Sequence, residues 1–320
     1  MKKFLALVLA TAMILMTLAA CGGTGSTTMT MGTGGTSGTY YAYGGVLGNQ
    51  IKTSSGITVN VVSTDGSKAN ILGIDAGNYQ LATVQSDVMA YAAQGISSFA
   101  SEGAIDSFRV IGGLYEESVH LVTMDPEIKT VADLAGKKVS IGAAGSGVYF
   151  NAVDILAAAG MTEADIVPQY QSFADSADAL KDGKIDAAFI VAGAPTPAIQ
   201  ELFTTNANAR LVPIDGDIAK ALMDASSYYT SYEIPASAYN TAEAITTVTV
   251  KATLIVATSA SEEDVYELTK AIFDNIDAIT AAHAKGAELS LENATSGMTA
   301  PFHKGAAKYF AEKNITVESK

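Results

Sequence analysis

A strand, a glycine-rich turn and a helix follow one another in TMTMGTGGTSGTYYAYGGVLGNQIK, residues 28–52. The turn occupies residues 32–38, and the helix begins near Tyr40. A second strand, a short helix and a third strand follow within residues 57–84. The segment therefore predicts a βαβαβ unit, in which the strands lie parallel and the crossovers are right-handed.

The same order of elements recurs in the middle of the chain. A strand at residues 138–143 is followed by the turn AGSG, residues 144–147, and by further helices and strands up to residue 192. Four positions repeat at a spacing of 109 residues, pairing Ser37 with Ser146, Gly38 with Gly147, Tyr40 with Tyr149 and Ser67 with Ser176. We predict a structural pseudo-repeat, and hence an α/β protein with two lobes.

Two apolar strands flank the second unit. They are SVHLVTM, residues 118–124, and VTVKATLIVAT, residues 248–258. This arrangement predicts that the second unit is inserted into the first and joined to it by two crossing segments. A helix with Ser261 as its N-cap and apolar residues at helical spacing to about Ile279 would then return to the first lobe. The expected limits are residues 29–117 plus 258–320 for lobe 1 and residues 118–257 for lobe 2.

Polar turns follow the strands of both units, directly before helix starts. In parallel sheets, ligands bind beyond the carboxyl ends of the strands, and a helix start offers unpaired N–H groups to an anion. Two such edges facing each other would clamp one small molecule. For Ser67 and Asp87 helix capping is an equally good interpretation. The expected contacts are Gly35, Thr36, Ser37, Thr39, Tyr40, Ser67, Gln85, Ser86 and Asp87 from the first unit and Ser146, Gly147 and Val148 from the second.

The amino terminus has the pattern of a lipoprotein signal peptide. Lys2 and Lys3 precede an apolar run that ends in Leu18-Ala19-Ala20-Cys21. The run is too short for a stable membrane-spanning helix, the alternative interpretation. We expect removal of residues 1–20, acylation of Cys21 and a flexible tether at residues 21–28, which places the protein on the outer face of the cytoplasmic membrane.

Charge and cysteine content exclude several classes of protein. Asp and Glu outnumber Lys and Arg by 33 to 19, giving a formal net charge of −14, so a nucleic acid would be repelled. The chain has one cysteine, which cannot form an intrachain disulfide or a cysteine-rich metal site. We expect no metal and a monomer.

Cofactor and catalytic motifs are missing from the chain. The glycines Gly32, Gly34 and Gly38 have GxGxxxG spacing rather than the GxGxxG of dinucleotide-binding turns, and no P-loop, GxSxG or HExxH motif occurs. His120, His283 and His303 lie far apart in the sequence and are expected at the surface or the hinge. We expect no cofactor and no enzymatic activity, with an extracytoplasmic hydrolase as the alternative.

Arginine is scarce, which limits the charge of the ligand. Arg109 and Arg210 are the two arginines, and neither lies in an expected cleft loop. An anionic ligand would therefore depend on hydroxyl groups, backbone amides or Lys68. This argues against a highly charged solute.

Several segments, in order and spacing, resemble the TAXI-type solute receptors of TRAP transporters. The likeness extends over nearly all of the chain after the signal peptide. The segments are GTGGTSGTYYAYGG (32–45), ATVQSDV (82–88), IGGLYEESVHLV (111–122), VADLAGKKVSIGAAGSG (131–147), IPASAY (234–239), TVTVKATLIV (247–256), ELTKAIFDNIDAITAAH (267–283) and PFHKGAAKYF (301–310).

The resemblance implies a type II periplasmic-binding-protein fold that captures a solute between two lobes and delivers it to a TRAP permease. It also implies a contact near Gly193 and Pro195, and solutes such as glutamate, glutamine or a dicarboxylate. Val148 and Tyr149 depart from the family's usual threonine and glutamate, which affects the identity of the solute. A lipoprotein that presents its ligand to a sensor rather than to a permease remains an alternative.

Overall fold

The computed structural model describes residues 27–320. The expected signal peptide, the lipid-attachment residue Cys21 and most of the expected tether lie outside these residues. The end of that tether belongs to the fold. The Thr27 carbonyl accepts a hydrogen bond from the Thr58 N–H at 2.8 Å, and the first strand begins at Thr28.

The first unit has the predicted βαβαβ order. Its strands β1, β2 and β3 lie in the spatial order β2-β1-β3, and both pairings are parallel. The elements are β1 (Thr28–Gly32), α1 (Thr39–Ser55), β2 (Thr58–Val62), α2 (Ser67–Asp75) and β3 (Leu81–Gln85), followed by α3 (Ser86–Gln94). The prediction for this unit is confirmed.

The second unit repeats this arrangement, with its three strands in the parallel order β6-β5-β7. The elements are β5 (Lys138–Ser140), α4 (Gly147–Ala158), β6 (Val167–Gln169), α5 (Phe173–Lys181) and β7 (Ala187–Ala192), followed by α6 (Pro197–Thr205). The order of elements therefore repeats, whereas the residue spacing does not. Gly38 precedes its helix but Gly147 begins one, and Ser67 begins α2 but Ser176 lies inside α5, because the connecting turns differ in length.

Two long antiparallel strands connect the units. They are β4 (Phe108–Thr123) and β10 (Ile245–Ala257), paired from Phe108 with Ala257 to Ser118 with Thr249. Strand β10 also pairs with β3, and β4 with β7. The other elements of this region are β8 (Arg210–Val212) beside β4, β9 (Thr230–Ile234) beside β10, α7 (Gly216–Ala225) and α8 (Ala236–Tyr239).

Buried apolar side chains form separate cores on the two sides of these strands. Strand β4 leaves the first core after Tyr115 and enters the second at Val119, and β10 crosses back between Val250 and Ala252. The crossing in β10 lies earlier than the lobe limit expected after residue 257, and those sequence-based limits stay a prediction. The sequence of β10 does not show where it crosses between the lobes. The strand is buried in both lobes, so its apolar run continues through the crossing.

Four helices after β10 pack on the first core. They are α9 (Glu262–Phe273), α10 (Ile276–Ala282), α11 (Leu291–Thr295) and α12 (Lys304–Glu312). Ser261 caps α9 as predicted, since its Oγ accepts from the Asp264 N–H at 3.0 Å. The expectation of one helix to Ile279 was wrong. The chain breaks at Asp274, whose Oδ1 accepts from the Tyr309 hydroxyl and Lys313 Nζ, both at 2.8 Å. Short 3₁₀ turns lie at Ser97–Phe99, Val131–Leu134, Glu163–Asp165 and Ala284–Glu288.

Gly305 permits the close approach of α9 and α12. A Cβ at this position would lie 2.3 Å from the Glu262 carbonyl oxygen and 2.7 Å from the Tyr266 nitrogen. Gly305→Ala should therefore lower the free energy of unfolding by about 1–3 kcal/mol, because backbone must shift to relieve the overlap. Gly45→Ala is the matched control, since a Cβ on this exposed glycine of α1 meets nothing within 4 Å. It should raise stability by about 0.4–1 kcal/mol. Urea unfolding of both variants measures the difference, and equal stabilities would contradict the packing argument.

Candidate functional site

A cavity lies between the two lobes, at the carboxyl ends of the parallel strands. It offers about 80 Å³ to the centres of water-sized molecules. Eight residues expected from the sequence line it: Gly35, Thr39, Tyr40, Ser67 and Gln85 from the first unit, and Ser146, Gly147 and Val148 from the second. The cavity is therefore built by both units from the turns at their helix starts.

The lobes are closed over this cavity and contact each other directly. The Ala69 N–H donates to the Gly145 carbonyl at 3.1 Å, and the Ala198 N–H donates to the Ser37 carbonyl at 3.2 Å. The Thr39 hydroxyl donates to the Gly193 carbonyl at 2.9 Å. These hydrogen bonds hold the edges of the two units against each other, so a solute in the cavity would be surrounded by both lobes.

Helix N-termini from both lobes face the cavity. Gly38 precedes α1 and Gly66 precedes α2, and neither helix has a side-chain cap. The start of α4 is capped by Ser146, whose Oγ accepts from the Tyr149 N–H at 3.3 Å. The first N–H groups of a helix have no partner within the helix and carry partial positive charge. The glycines before α1 and α2 leave the first of these groups open to an anionic group of a solute, whereas the Ala69 N–H of α2 already donates to the Gly145 carbonyl.

Glu117 lines the cavity from β4, and sequence reasoning missed it. Its side chain is 2% exposed, and its Oε2 accepts a hydrogen bond from the Tyr40 hydroxyl at 2.5 Å. Burial raises the pKa of this carboxyl well above its ordinary range, with Asp87 adding to the rise and the Tyr40 hydrogen bond opposing it. No motif marks Glu117. It lies in an apolar crossing strand next to a second glutamate, Glu116, and the sequence does not show which of the two faces the cavity. Side chains alternate between the two faces of a strand, and Glu117 is the one on the cavity side.

Gln85 packs across the cleft against Gly147. A Cβ on Gly147 would lie 1.7 Å from Gln85 Oε1, so the end of the Gln85 side chain would have to move to make room for it. The backbone N–H of Gln85 donates to Ser67 Oγ at 3.1 Å, which fixes the end of β3 against α2. Gln85 Oε1 is buried without a hydrogen-bond partner, and so is Oε1 of Gln171, a further lining residue that the sequence did not indicate. Both oxygens can therefore accept a hydrogen bond from a solute.

The lining carries acidic but no basic side chains. Its carboxyl groups are Asp65 and Glu117, and it contains no Lys, Arg or His. The basic residues considered from the sequence are engaged elsewhere. Arg109 Nη1 donates to the Phe108 carbonyl, Arg210 Nη2 to the Ile128 carbonyl, and Lys68 Nζ to the Ser98 carbonyl.

Three expected contacts of the first unit lie outside the lining, because their side chains do not face the cavity. Thr36 is exposed at the tip of the turn. Ser37 meets the other lobe through its carbonyl, as described above. Ser86 Oγ accepts from the Lys251 N–H at 3.2 Å, so its hydroxyl faces β10.

The remaining three also lie outside the lining. Asp87 is fully buried, and its Oδ2 accepts from Asn151 Nδ2 at 2.9 Å, a contact between the lobes. The N-cap residue of α3, Gln85, makes no side-chain capping hydrogen bond, and the Asp87 carboxyl interacts with the N–H groups of Val88 and of Asp87 itself in the first turn. Gly193 follows β7 and contacts Thr39 as described above, and Pro195 follows a cis peptide bond two residues later. Gly193 and Pro195 therefore belong to the contact between the two lobes beside the cavity, and not to the cavity lining.

The three histidines do not form a catalytic group with the cavity. His120 is buried on β4, where its Nε2 lies 3.0 Å from the Tyr239 hydroxyl, and burial lowers its pKa to about 4. It is at the crossing but not at the surface. His283 and His303 bond backbone N–H groups at Lys285 and Gly305. Within residues 27–320 no group of three or more His, Cys, Asp or Glu side chains is arranged to hold a metal. No helix in this part of the chain has the length and apolarity to cross a bilayer.

Several solved structures have a similar fold, and some of them are binding proteins. The alkanesulfonate-binding protein SsuA from Xanthomonas axonopodis pv. citri, bound to MOPS, matches with a TM-score of 0.50 and 14% identity over 89% of this chain and 90% of its own. An arginine-specific periplasmic binding protein from Salmonella typhimurium matches with a TM-score of 0.50 and 13% identity over 82% and 99%. A protein from Bordetella bronchiseptica RB50 matches with a TM-score of 0.55 and 17% identity over 89% of both chains.

These likenesses confirm the fold class. Two α/β lobes joined by two crossing strands form the type II periplasmic-binding-protein fold that the sequence predicted. The family assignment rests on a separate comparison, in which a family model matches residues 31–313 and so spans both lobes. The chain belongs to the NMT1-like family.

Proposed function

We propose that this protein is an extracytoplasmic solute receptor, without enzymatic activity, that encloses one amino acid between its lobes. The observation that carries the proposal is the closed cavity, which combines open helix N-termini with buried carboxyl and carbonyl oxygens and has no basic side chain. A binding protein needs such enclosure, and a hydrolase would need water and a nucleophile, which no group in the lining supplies with an activating base.

One end of the solute is an anion held by the helix N-termini. The open N–H groups at the starts of α1 and α2 can bind a carboxylate without a lysine or arginine. Ser67 adds a hydroxyl group at the start of α2, whereas the Thr39 and Ser146 hydroxyls already donate to the Gly193 and Ala143 carbonyls. We propose Ser67, together with the backbone of Gly35, Thr39, Gly147 and Val148, as the carboxylate subsite.

The other end of the solute is a hydrogen-bond donor. Glu117 and the unpaired Oε1 atoms of Gln85 and Gln171 accept hydrogen bonds, and an ammonium group supplies three N–H donors. A second carboxylate at this end would meet Glu117, and among the described lining residues no basic side chain contacts it, which costs free energy in a buried site. The lining therefore favours an amino acid such as glutamine or glutamate over a dicarboxylate.

The remaining parts of the proposal come from the sequence. Resemblance to the TAXI-type receptors supports delivery of the solute to a TRAP permease, and the lipobox supports anchoring through Cys21 on the outer face of the cytoplasmic membrane. We also propose that the receptor is monomeric and that the lobes comprise residues 29–117 plus 258–320 and residues 118–257. Presentation of the ligand to a sensor is the second candidate, and it requires the same cavity.

A thermal-shift screen tests the binding activity. L-Glutamine and L-glutamate should raise the unfolding temperature, because a ligand at 100 times its dissociation constant adds about 2.7 kcal/mol to stability. 2-Oxoglutarate and succinate, which lack the ammonium group, should raise it less. A larger shift with the dicarboxylates would contradict the proposed subsites, and specific hydrolysis of an ester or peptide substrate would contradict the absence of catalysis.

A further inference from the structure

Asp87 and Asn151 form a buried contact between the lobes, outside the cavity lining. Asp87 begins the first turn of α3 and Asn151 lies on α4, and both side chains are fully buried. Asn151 Nδ2 donates to Asp87 Oδ2 at 2.9 Å. Asp87 Oδ1 and Asn151 Oδ1 are both left without a partner. A carboxylate beside a carboxamide thus has one completed hydrogen bond and two buried acceptors that lack a donor.

Neighbouring groups fix the orientation of the Asn151 amide. The Tyr229 hydroxyl donates its single proton to Asp154 Oδ2 at 2.9 Å, so it must accept from Asn151 Nδ2, which lies at 2.8 Å. Both protons of the Asn151 amide nitrogen are therefore used, one by Tyr229 and one by Asp87. The amide oxygen is left on the remaining side, where a donor is required.

We propose that Asp87 binds a proton when the lobes close, and that Asp87 Oδ1–H donates to Asn151 Oδ1. One added proton satisfies both orphan oxygens and completes a cyclic acid–amide pair with two hydrogen bonds. Two unpaired buried acceptors destabilise the closed protein, and protonating the carboxyl both pairs them and removes a buried charge. The proton site lies between the lobes, so it exists in this form only in the closed protein.

The electrostatic surroundings of Asp87 agree with this assignment. Burial raises the pKa of Asp87 to about 7, and the N–H group of Val88 and the Asn151 amide partly oppose this rise. From α4, Asp154 raises it further. The other groups that face Asp87 are the phenols Tyr91 and Tyr229, whose pKa values are themselves raised, and Glu117 on β4. The positive N-terminus of α3 favours the ionised form. No lysine or arginine is among these groups.

The sign of the pH dependence follows from the raised pKa. Opening should separate Asp87 from Asn151 and admit water, which returns the pKa of Asp87 towards the ordinary value of about 4. Closing therefore takes up a proton between this value and about 7. Solute affinity should fall about tenfold for each unit of pH as pH rises through this range, and should level off above pH 7, where the closed protein no longer holds the proton.

The variant Asp87→Asn distinguishes two possibilities: that Asp87 is protonated in the closed protein, or that it is needed there as an anion. The introduced amide can donate to Asn151 Oδ1 and accept from Asn151 Nδ2, as the protonated acid does. Calorimetric titration with L-glutamine, whose charged groups do not titrate between pH 5 and 7, should show a falling affinity for the unmodified protein over this range. The Asp87→Asn variant should bind with a constant affinity close to that of the unmodified protein at pH 5. Titrations in buffers of different protonation enthalpy should show uptake of about one proton at pH 6, lost in the variant.

Asp154→Asn is the comparison variant, since it removes a neighbouring carboxylate that raises the pKa of Asp87: affinity should still fall with rising pH but should level off at a lower pH. An unchanged slope in Asp87→Asn, or a large loss of affinity at every pH, would overturn the proposal.

Small-angle scattering without ligand gives a second measurement. The unmodified protein should be more compact at pH 5 than at pH 8, and the compactness of Asp87→Asn should not change with pH. If L-glutamine binds without proton uptake, the proton site fails and the receptor function stands. If L-glutamine does not bind but compaction follows pH, the proton site stands and the proposed solute fails. No binding and no change in scattering overturn both.

Discussion

Gly147→Ala should weaken solute binding about fivefold while leaving both lobes folded. The added Cβ would lie 1.7 Å from Gln85 Oε1 and 2.4 Å from its Cδ in the closed protein. Gln85 is in the first lobe and Gly147 in the second, so the overlap arises only on closure. The overlapping atoms are the end of the Gln85 side chain, which can turn away, so the cost lies at the lower end of overpacking, about 1 kcal/mol, and each 1.4 kcal/mol is a factor of ten in affinity. Calorimetric titration with L-glutamine measures the loss, and urea unfolding without solute should be unchanged.

A double variant identifies the source of this loss. In a Gln85→Ala background the overlapping atoms are absent, so adding Gly147→Ala should cost much less than it does alone. Gly45→Ala, on the outer face of α1, should leave affinity unchanged. An equal cost of Gly147→Ala with and without Gln85 would show that closure is not limited by this contact.

Glu117→Gln should change which solute the cavity accepts. Removing one partner of a buried carboxylate–ammonium pair costs about 2–5 kcal/mol of binding free energy. Binding of L-glutamine and L-glutamate should therefore weaken at least tenfold. 2-Oxoglutarate has no ammonium group, and its binding should weaken less or improve, because the substitution removes an acidic group from the lining. Competition titrations with the three solutes give the change in preference directly.

Glu116→Gln is the control for this experiment. Glu116 is the neighbour of Glu117 on β4, but it lies outside the lining, where the Thr249 hydroxyl donates to its Oε2 at 3.3 Å. The order of the solutes should stay the same in this variant. If Glu117→Gln weakens all three solutes equally, Glu117 supports Tyr40 instead of contacting the ammonium group, and the proposed subsite is wrong.

The strand and helix order could be predicted because it depends on local signals. Apolar runs, glycine-rich turns and caps such as Ser261 act within a few residues of themselves, and they marked both βαβαβ units. The break between α9 and α10 could not be predicted in this way. It depends on Tyr309 and Lys313, which reach Asp274 from a helix far along the chain.

The same distinction separates the expected cavity residues from those that were missed. Residues at helix starts, such as Thr39 and Gly147, could be named because parallel sheets place these turns at one edge. Glu117 and Gln171 have no local mark, since they reach the cavity only after the crossing strands bring the lobes together. Asp87 shows the converse, because its polar turn suggested a solute contact while the closed lobes give it Asn151 as its partner.

By itself the sequence determined a two-lobed α/β fold, with glycine- and serine-rich helix starts directed at a common cleft, because backbone conformation and strand order follow from patterns along the chain. The tertiary structure alone decided the charge of the cavity and the contacts that close it. Electrostatics and packing depend on distances through space, and side chains such as Gln85 and Gly147 become neighbours only when the two lobes meet.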